Sequence, residues 1–221
     1  MKHLTKHDKE SIRKMVTEHT LCAGIGTEES MCSIVAINLV LTGELTDKVP
    51  ECMSMVIGRW IIKIQDAMPD EFRNSDAWKS LLPRAAGTGR EMEERRRDII
   101  LKWLWADVLP WHQKFADKAG YGKEWSTMIE EKTSAASYAA AAAAAAYASY
   151  AAAASYAAAA AAAYASYAAA AAGAAAAAVA DADAVADAGA GAAAVADADY
   201  WKAIDPALLL EKLIEVDAAD E

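Results

Sequence analysis

The sequence has few cysteines and no recognisable export signal. Only three of its 221 residues are cysteine, namely Cys22, Cys32 and Cys52, and no CxxC pair occurs. The odd number and the wide spacing favour reduced, mostly buried thiols over a disulfide framework. The N-terminal stretch MKHLTKHDKESIRK is polar and charged, unlike a secretory signal. The sequence therefore predicts a protein of the cytoplasm.

Basic residues are missing from a long part of the chain, since no Lys or Arg lies between Lys132 and Lys202. Residues 1–133 hold 20 basic and 21 acidic residues, whereas residues 134–221 hold two basic and eleven acidic ones. Phosphate binding depends on clustered Lys and Arg, so the acidic second part argues against nucleic acid as a partner.

Catalytic and metal-binding motifs are also missing. The four histidines do not form HExxH or another ligand spacing, and no GxSxG occurs. Asp66 and His112 are the nearest candidates for acid–base chemistry, and neither belongs to a recognisable pair. We therefore predict no catalytic residue, no metal site and no cofactor, and the question whether the protein is an enzyme stays open.

Helical periodicity dominates residues 1–133 and predicts an all-α fold. We expect helices over residues 5–19, from Thr27 to Gly43, from about Asp47–Pro50 through ECMSMVIGRWIIKIQDAM to Met68, over DAWKSLLP up to Pro83, and over Glu91–Leu109 before a break at Pro110. The β-branched residues after Thr27 leave a strand as the alternative there. Gly58 indicates either a close helix crossing or a tolerated glycine. Gly120 and Gly122 divide the following stretch into two short helices.

The loop Arg84–Arg90, RAAGTGR, is the most site-like stretch. A glycine-rich loop before a helix exposes backbone N–H groups and can bind an anion, although an ordinary linker with a helix cap explains it as well. The candidate ligand-binding residues are Arg59, Trp60, Arg84, Gly87, Thr88, Gly89, Arg90 and Arg95. Six of the seven tryptophans lie in residues 60–125, where they form either a core or a ligand pocket.

An alanine tract runs from Ser134 to about Ala172 and contains two similar units of 18 residues, Ser137–Ala154 and Ser155–Ala172. Eighteen residues are five α-helical turns, and alanine has the highest helix propensity. Small side chains allow close helix packing, so a bundle with tyrosines as its large side chains is one interpretation. A low-complexity helix in solvent is the other. The candidate interface residues here are Tyr138, Tyr147, Tyr150, Tyr156, Tyr164 and Tyr167.

The tract continues into an acidic stretch that repeats VADAD, and the chain then forms an amphipathic helix. The spaced aspartates lack the pattern of a calcium loop and indicate a solvated face that turns back near Gly189 and Gly191. Asp205 and Pro206 begin the last helix. We expect Trp201, Leu209 and Leu213 to dock it on the N-terminal body or on a partner. The predicted division is a helical body (1–133), an alanine-rich segment (134–199) and a docking helix (200–221).

The layout resembles alanine-rich helical proteins without assigned activity that occur in tailed phages and bacterial mobile elements. The likeness rests on INLVLTGELTD, MSMVIGRWIIKIQDAMPD, LLPRAAGTGRE, the Ala/Asp/Tyr tract and DPALLLEKLIEV, and it covers nearly the whole chain. It implies an accessory protein that acts in the bacterial cytoplasm, for example on host defence.

Together these features predict a non-enzymatic helical protein that self-associates or binds a host protein, and that does not bind a membrane. The alternative is a small-ligand binder that sequesters an anionic or nucleotide signal.

Overall fold

A computed structural model describes residues 4–133, 135–137, 139, 140, 142, 143 and 198–216. In this part of the chain the fold is all-α, with one short pair of strands. The helices are α1 Lys6–Glu18, α2 Ser33–Thr42, α3 Met55–Ala67, α4 Asp70–Arg73, α5 Asp76–Ala85, α6 Glu93–Trp103, a π-helix Leu104–Val108, α7 Leu109–Trp111, α8 Gln113–Ala119, α9 Gly122–Glu131, α10 Ala198–Ile204 and α11 Pro206–Glu215. Strands β1 Thr20–Leu21 and β2 Ser30–Met31 pair in parallel.

The chain divides into two compact units. Unit 1 combines Met1–Ile99 with Asp205–Glu221, and unit 2 is Ile100–Ile204. The three-part division expected from the sequence stays a prediction, because most of its middle part lies outside the described residues.

Unit 1 packs α1 against α2 and α5, and α11 against α5 and α3. A capping box between Thr5 and Asp8 begins α1, and Gly43 ends α2 in a left-handed conformation. The apolar stripe of α3 is buried, and the ring centroids of Trp60 and Trp78 lie 5.9 Å apart. The tryptophans of this unit therefore form core.

The expected start of α2 at Thr27 is wrong. The helix begins at Ser33, with Cys32 as its N-cap, and the β-pair occupies the preceding residues. Thr27 Oγ1 accepts hydrogen bonds from the Glu29 and Ser30 N–H groups and so closes a local turn.

The expected start of α3 near Asp47–Pro50 is also wrong, since Ser54 is the N-cap and Met55 the first residue. The Asn38 side chain donates to the carbonyls of Thr46 and Lys48, at 2.7 Å each, and holds this segment as a loop. Gly58 marks a close approach, but the neighbour is the Val49 side chain and not another helix.

Neither proline interrupts its helix where expected. Pro83 lies inside α5, which ends at Ala85. The proline removes one i→i−4 hydrogen bond, and burial of Trp78, Leu81 and Leu82 offsets this loss. Before Pro110, the Leu109 N–H bonds to the Leu104 carbonyl, an i→i−5 contact of the π-helix. This wider turn accommodates the proline, so helical structure continues from α6 through α7.

In unit 2, Gly120 is left-handed and separates α8 from α9, as predicted. The described residues at the start of the alanine tract are helical, with Ala136, Ser137 and Ala140 buried. At the end of the chain Asp205 caps α11, with its side chain accepting from the Leu208 N–H, and Pro206 is the first helical residue, again as predicted.

Candidate functional site

The loop Arg84–Arg90, predicted as an anion site, directs backbone N–H groups into the protein. The Gly87 N–H bonds to the Arg84 carbonyl, the Thr88 N–H to the Ala85 carbonyl and the Gly89 N–H to the Cys52 carbonyl, at 3.1, 3.3 and 3.0 Å. An anion would need these same donors. The geometry therefore favours a structural role for the loop.

Thr88 ties this loop to the start of α3. Its hydroxyl donates to the Ala85 carbonyl at 2.8 Å and accepts from the Ser54 N–H at 3.1 Å. The side chain is buried, so both contacts are shielded from water. Thr88 thus connects the C-terminal end of α5 with the N-cap of α3.

The N-terminus of α3 does bind an anionic group, which is the carboxylate of Glu93 from the same chain. This carboxylate accepts from Ser54 Oγ at 2.6 Å and from the N–H groups of Met55 and Val56 at 2.7 and 3.2 Å. A carboxylate is stabilised there by the exposed donors and by the helix dipole. Glu93 therefore fills the position that an external anion would take.

Arg96, one turn further along α6, is fully buried and binds backbone oxygens. Its guanidinium donates to the carbonyls of Leu213, Gly89 and Thr88 at 3.1, 3.1 and 3.0 Å. Leu213 lies near the end of α11, where helix carbonyls lack intrahelical partners. Arg96 thus joins the loop, α6 and α11, although it belongs to the charged run EMEERRRD, which is typical of a solvent-exposed helix face.

The other predicted ligand residues are dispersed. Trp60 is fully buried in the core of unit 1, whereas Arg59 is half-buried and Arg90 and Arg95 are exposed. Arg84 forms ion pairs with Glu211 and Glu215 of α11, at 3.3 and 3.0 Å. The ligand-binding assignment stays a prediction.

An aromatic cluster surrounds His112 in unit 2. The ring centroid of His112 lies 5.2 Å from that of Trp111, 5.7 Å from Tyr200 and 6.3 Å from Trp125. Burial and, to a smaller extent, the positive charge of Lys114 lower the pKa of His112 to about 4. The imidazole is therefore neutral at pH 7.

Two tryptophan side chains of unit 2 donate hydrogen bonds to backbone carbonyls. Trp103 Nε1 donates to the Ile204 carbonyl at 2.7 Å and Trp125 Nε1 to the Leu109 carbonyl at 3.0 Å. Of the predicted interface residues, Trp201, Leu209 and Leu213 are buried within the chain. The six tract tyrosines lie outside the described residues, and their assignment stays a prediction.

Sequence reasoning missed a loop that the structure holds in place, residues 22–32, which we name the braced loop. Gln65 Nε2 donates to the Cys22 carbonyl at 2.7 Å, and Gln65 Oε1 accepts from the Ser33 N–H at 3.0 Å. Asn74 accepts from the Leu21 N–H and donates to its carbonyl, at 2.8 and 2.9 Å. Gly24 and Gly26 indicate a turn, but no local pattern could identify partners more than 30 residues away.

The described part of the chain offers neither a metal-binding cluster nor a membrane-spanning helix. No group of three or more His, Cys, Asp or Glu residues there is arranged to hold a metal ion. Likewise, none of the helices there combines the length and apolar character needed to cross a membrane. No protein-family model matches the sequence, and comparisons with curated proteins and with solved structures found no match.

Proposed function

We propose that this chain is a non-enzymatic helical interaction and assembly protein. The observation that carries the proposal is the use of the most site-like polar groups for holding the fold together. Glu93 occupies the N-terminus of α3, Arg96 binds three backbone carbonyls and the loop N–H groups donate to other carbonyls. Side chains committed to such contacts are poorly suited to bind and release a substrate.

The alanine tract supports assembly through its sequence. Small side chains let two helices approach closely, and the tyrosines are the large groups that such a surface could bury. The described start of the tract is helical and buries Ala136 and Ala140, which agrees with an alanine face that packs. The proposed assembly joins copies of this chain or joins it to a host protein.

The proposed biological setting is that of a phage or mobile-element accessory protein acting on a host component, for example one of host defence. This part of the proposal rests on the resemblance of the sequence layout alone. Its test is expression in a bacterial host under phage challenge, where we expect changed plaque formation. An unchanged plaque count at full expression would remove the defence role.

Light scattering coupled to size exclusion tests the assembly. We expect the purified chain to form a defined oligomer, and we expect Tyr147, Tyr150, Tyr164 and Tyr167 together changed to Ala to shift it toward monomer. The matched control changes the same four residues to Phe, which keeps the rings and should keep the oligomer. A wild-type monomer at all concentrations that also binds no host protein would refute the proposal.

A further inference from the structure

The braced loop is exposed and yet firmly held. Residues 23–29 are exposed, so they add little to the core of unit 1. Nevertheless the Gly24 N–H donates to Asp66 Oδ1 at 2.7 Å, and the fully buried Gln65 bridges the two ends of the loop. The β-pair closes its base, and the Cys22 N–H donates to the Met31 carbonyl at 3.1 Å.

Such bracing reduces the conformational freedom of the loop before any partner arrives. Ordering a loop on binding costs conformational entropy, so a loop that is already ordered loses less entropy when it binds. Gly24 and Gly26 take left-handed conformations that the fold requires, and a side chain on Gly26 would collide with the Ser30 carbonyl. The structure thus fixes the backbone conformation of an exposed segment that contributes little to the core.

The loop presents one large apolar side chain and two acidic ones. Ile25 lies between the two glycines and is 48% exposed, while its carbonyl accepts from the Cys32 N–H at 3.4 Å. Glu28 and Glu29 are exposed in the same loop. A fixed backbone therefore presents one apolar and two acidic side chains in the same exposed loop.

We propose that the braced loop is a preorganised recognition element, which inserts Ile25 into an apolar pocket of another protein. Basic residues around that pocket complement Glu28 and Glu29, because charge complementarity guides association and selects partners. The same acidic residues repel nucleic acid and anionic lipid surfaces, so the partner is a protein. This inference rests on the proposed interaction function and assigns the surface that carries it.

Site-specific photo-crosslinking in host lysate identifies the partner. Ile25 is replaced by p-benzoylphenylalanine, and the control carries the same group at Leu45, an apolar residue 43% exposed in the loop after α2. These positions lie beyond opposite ends of the same ten-residue helix. We expect one protein crosslinked from position 25 and not from position 45, with the crosslink mapped to an apolar pocket flanked by Lys or Arg.

Binding to that purified protein then measures the contribution of the loop. We expect Ile25→Asp to weaken binding at least tenfold and Leu45→Asp to leave it within twofold. Glu28→Lys with Glu29→Lys should slow association at low salt, and the difference should shrink as salt is added. Circular dichroism checks that all variants stay folded.

Three results would overturn the inference. They are the absence of a crosslink specific to position 25, a crosslink only to a second copy of this chain, and a purified partner whose affinity is unchanged by Ile25→Asp. If the four Tyr→Ala changes still abolish assembly in any of these situations, the proposed assembly function stands and only the loop assignment fails.

Discussion

Arg96 and Glu93 connect separate parts of unit 1 from neighbouring positions on α6. Glu93 caps α3, and Arg96 binds the loop after α5 and the end of α11. Both residues belong to a run of charges that looks solvent-facing in the sequence. Their partners lie up to 117 residues away along the chain, so helical periodicity could not reveal their role.

Replacing Arg96 by Met should destabilise the protein strongly. The change keeps an unbranched side chain but leaves the buried carbonyls of Leu213, Gly89 and Thr88 without this donor. We expect the free energy of unfolding to fall by about 3 kcal/mol or more, since hydrogen bonds to charged groups are worth about 1.5–3 kcal/mol each. Urea unfolding measures it. The control is Arg95→Met at an exposed position, which should change stability by less than about 0.5 kcal/mol. Equal effects at both positions would contradict the assigned role.

His112 should make stability depend on pH in mildly acidic solution. Its pKa is about 4 in the folded protein against an ordinary 6.5, so between these values the unfolded chain binds a proton that the folded chain does not. The free energy of unfolding should therefore fall as the pH drops from 6.5 to 4, by about 3 kcal/mol.

The measurement compares urea unfolding of the wild type and of His112→Phe at pH 7 and pH 5. The Phe variant should lose part of the acid sensitivity, whereas His7→Ala, at an exposed position, should retain it. If wild type and His112→Phe lose the same stability between these pH values, the buried neutral imidazole is not the cause.

At the scale of elements, the braced loop should respond very differently to alanine at its two glycines. Gly26 has φ +77°, and a Cβ built on it would meet Ser30 and Cys22. Gly24 has φ +68°, and a Cβ built on it would have no neighbour within 4 Å. We expect Gly26→Ala to cost about 3 kcal/mol through strain and collision, and Gly24→Ala about 1 kcal/mol through strain alone.

Hydrogen exchange of the loop amides, followed together with the urea midpoint, checks this pair. Faster exchange over residues 22–32 should accompany Gly26→Ala. Similar losses in the two variants would mean that backbone conformation alone, without the contact to Ser30, sets the cost.

The presence of a helix was easier to predict than the residues at which it begins and ends. Local signals predicted helices in the regions of α1 and α3 and the start of α11 at Asp205 and Pro206, and these predictions are confirmed. The predicted starts of α2 and α3 were wrong, although Thr27 and Pro50 are plausible helix starts. Strand pairing keeps the residues before α2 out of the helix, and hydrogen bonds from Asn38 hold the residues before α3 as a loop. The predicted break at Pro110 was also wrong, because the π-helix before it accommodates the proline.

At the scale of the whole molecule, unit 1 needs both ends of the chain. Residues up to Ile99 and those from Asp205 onward form it together, and α11 buries Leu209, Leu210 and Leu213. Deleting residues 206–221 should expose the apolar surfaces of α3 and α5 that pack on α11 and should leave the Arg96 guanidinium without the Leu213 carbonyl. We expect loss of cooperative unfolding and rapid cleavage by trypsin.

The control deletion removes residues 217–221 only and should preserve the trypsin resistance. Near-ultraviolet circular dichroism reports the packing of Trp60 and Trp78 in the same samples. Wild-type packing after removal of residues 206–221 would show that the unit does not depend on α11.

The sequence by itself determined the all-α class, most helices and the docking character of the last helix, because apolar periodicity, capping residues and glycine stops act within a few residues. Only the tertiary structure decided that the glycine loop is an internal junction, that Arg96 is buried and that the exposed loop at residues 22–32 is braced. Those features depend on hydrogen bonds between residues far apart in the chain, for example Gln65 with Cys22 and Arg96 with Leu213. Local sequence patterns carry no record of such pairings.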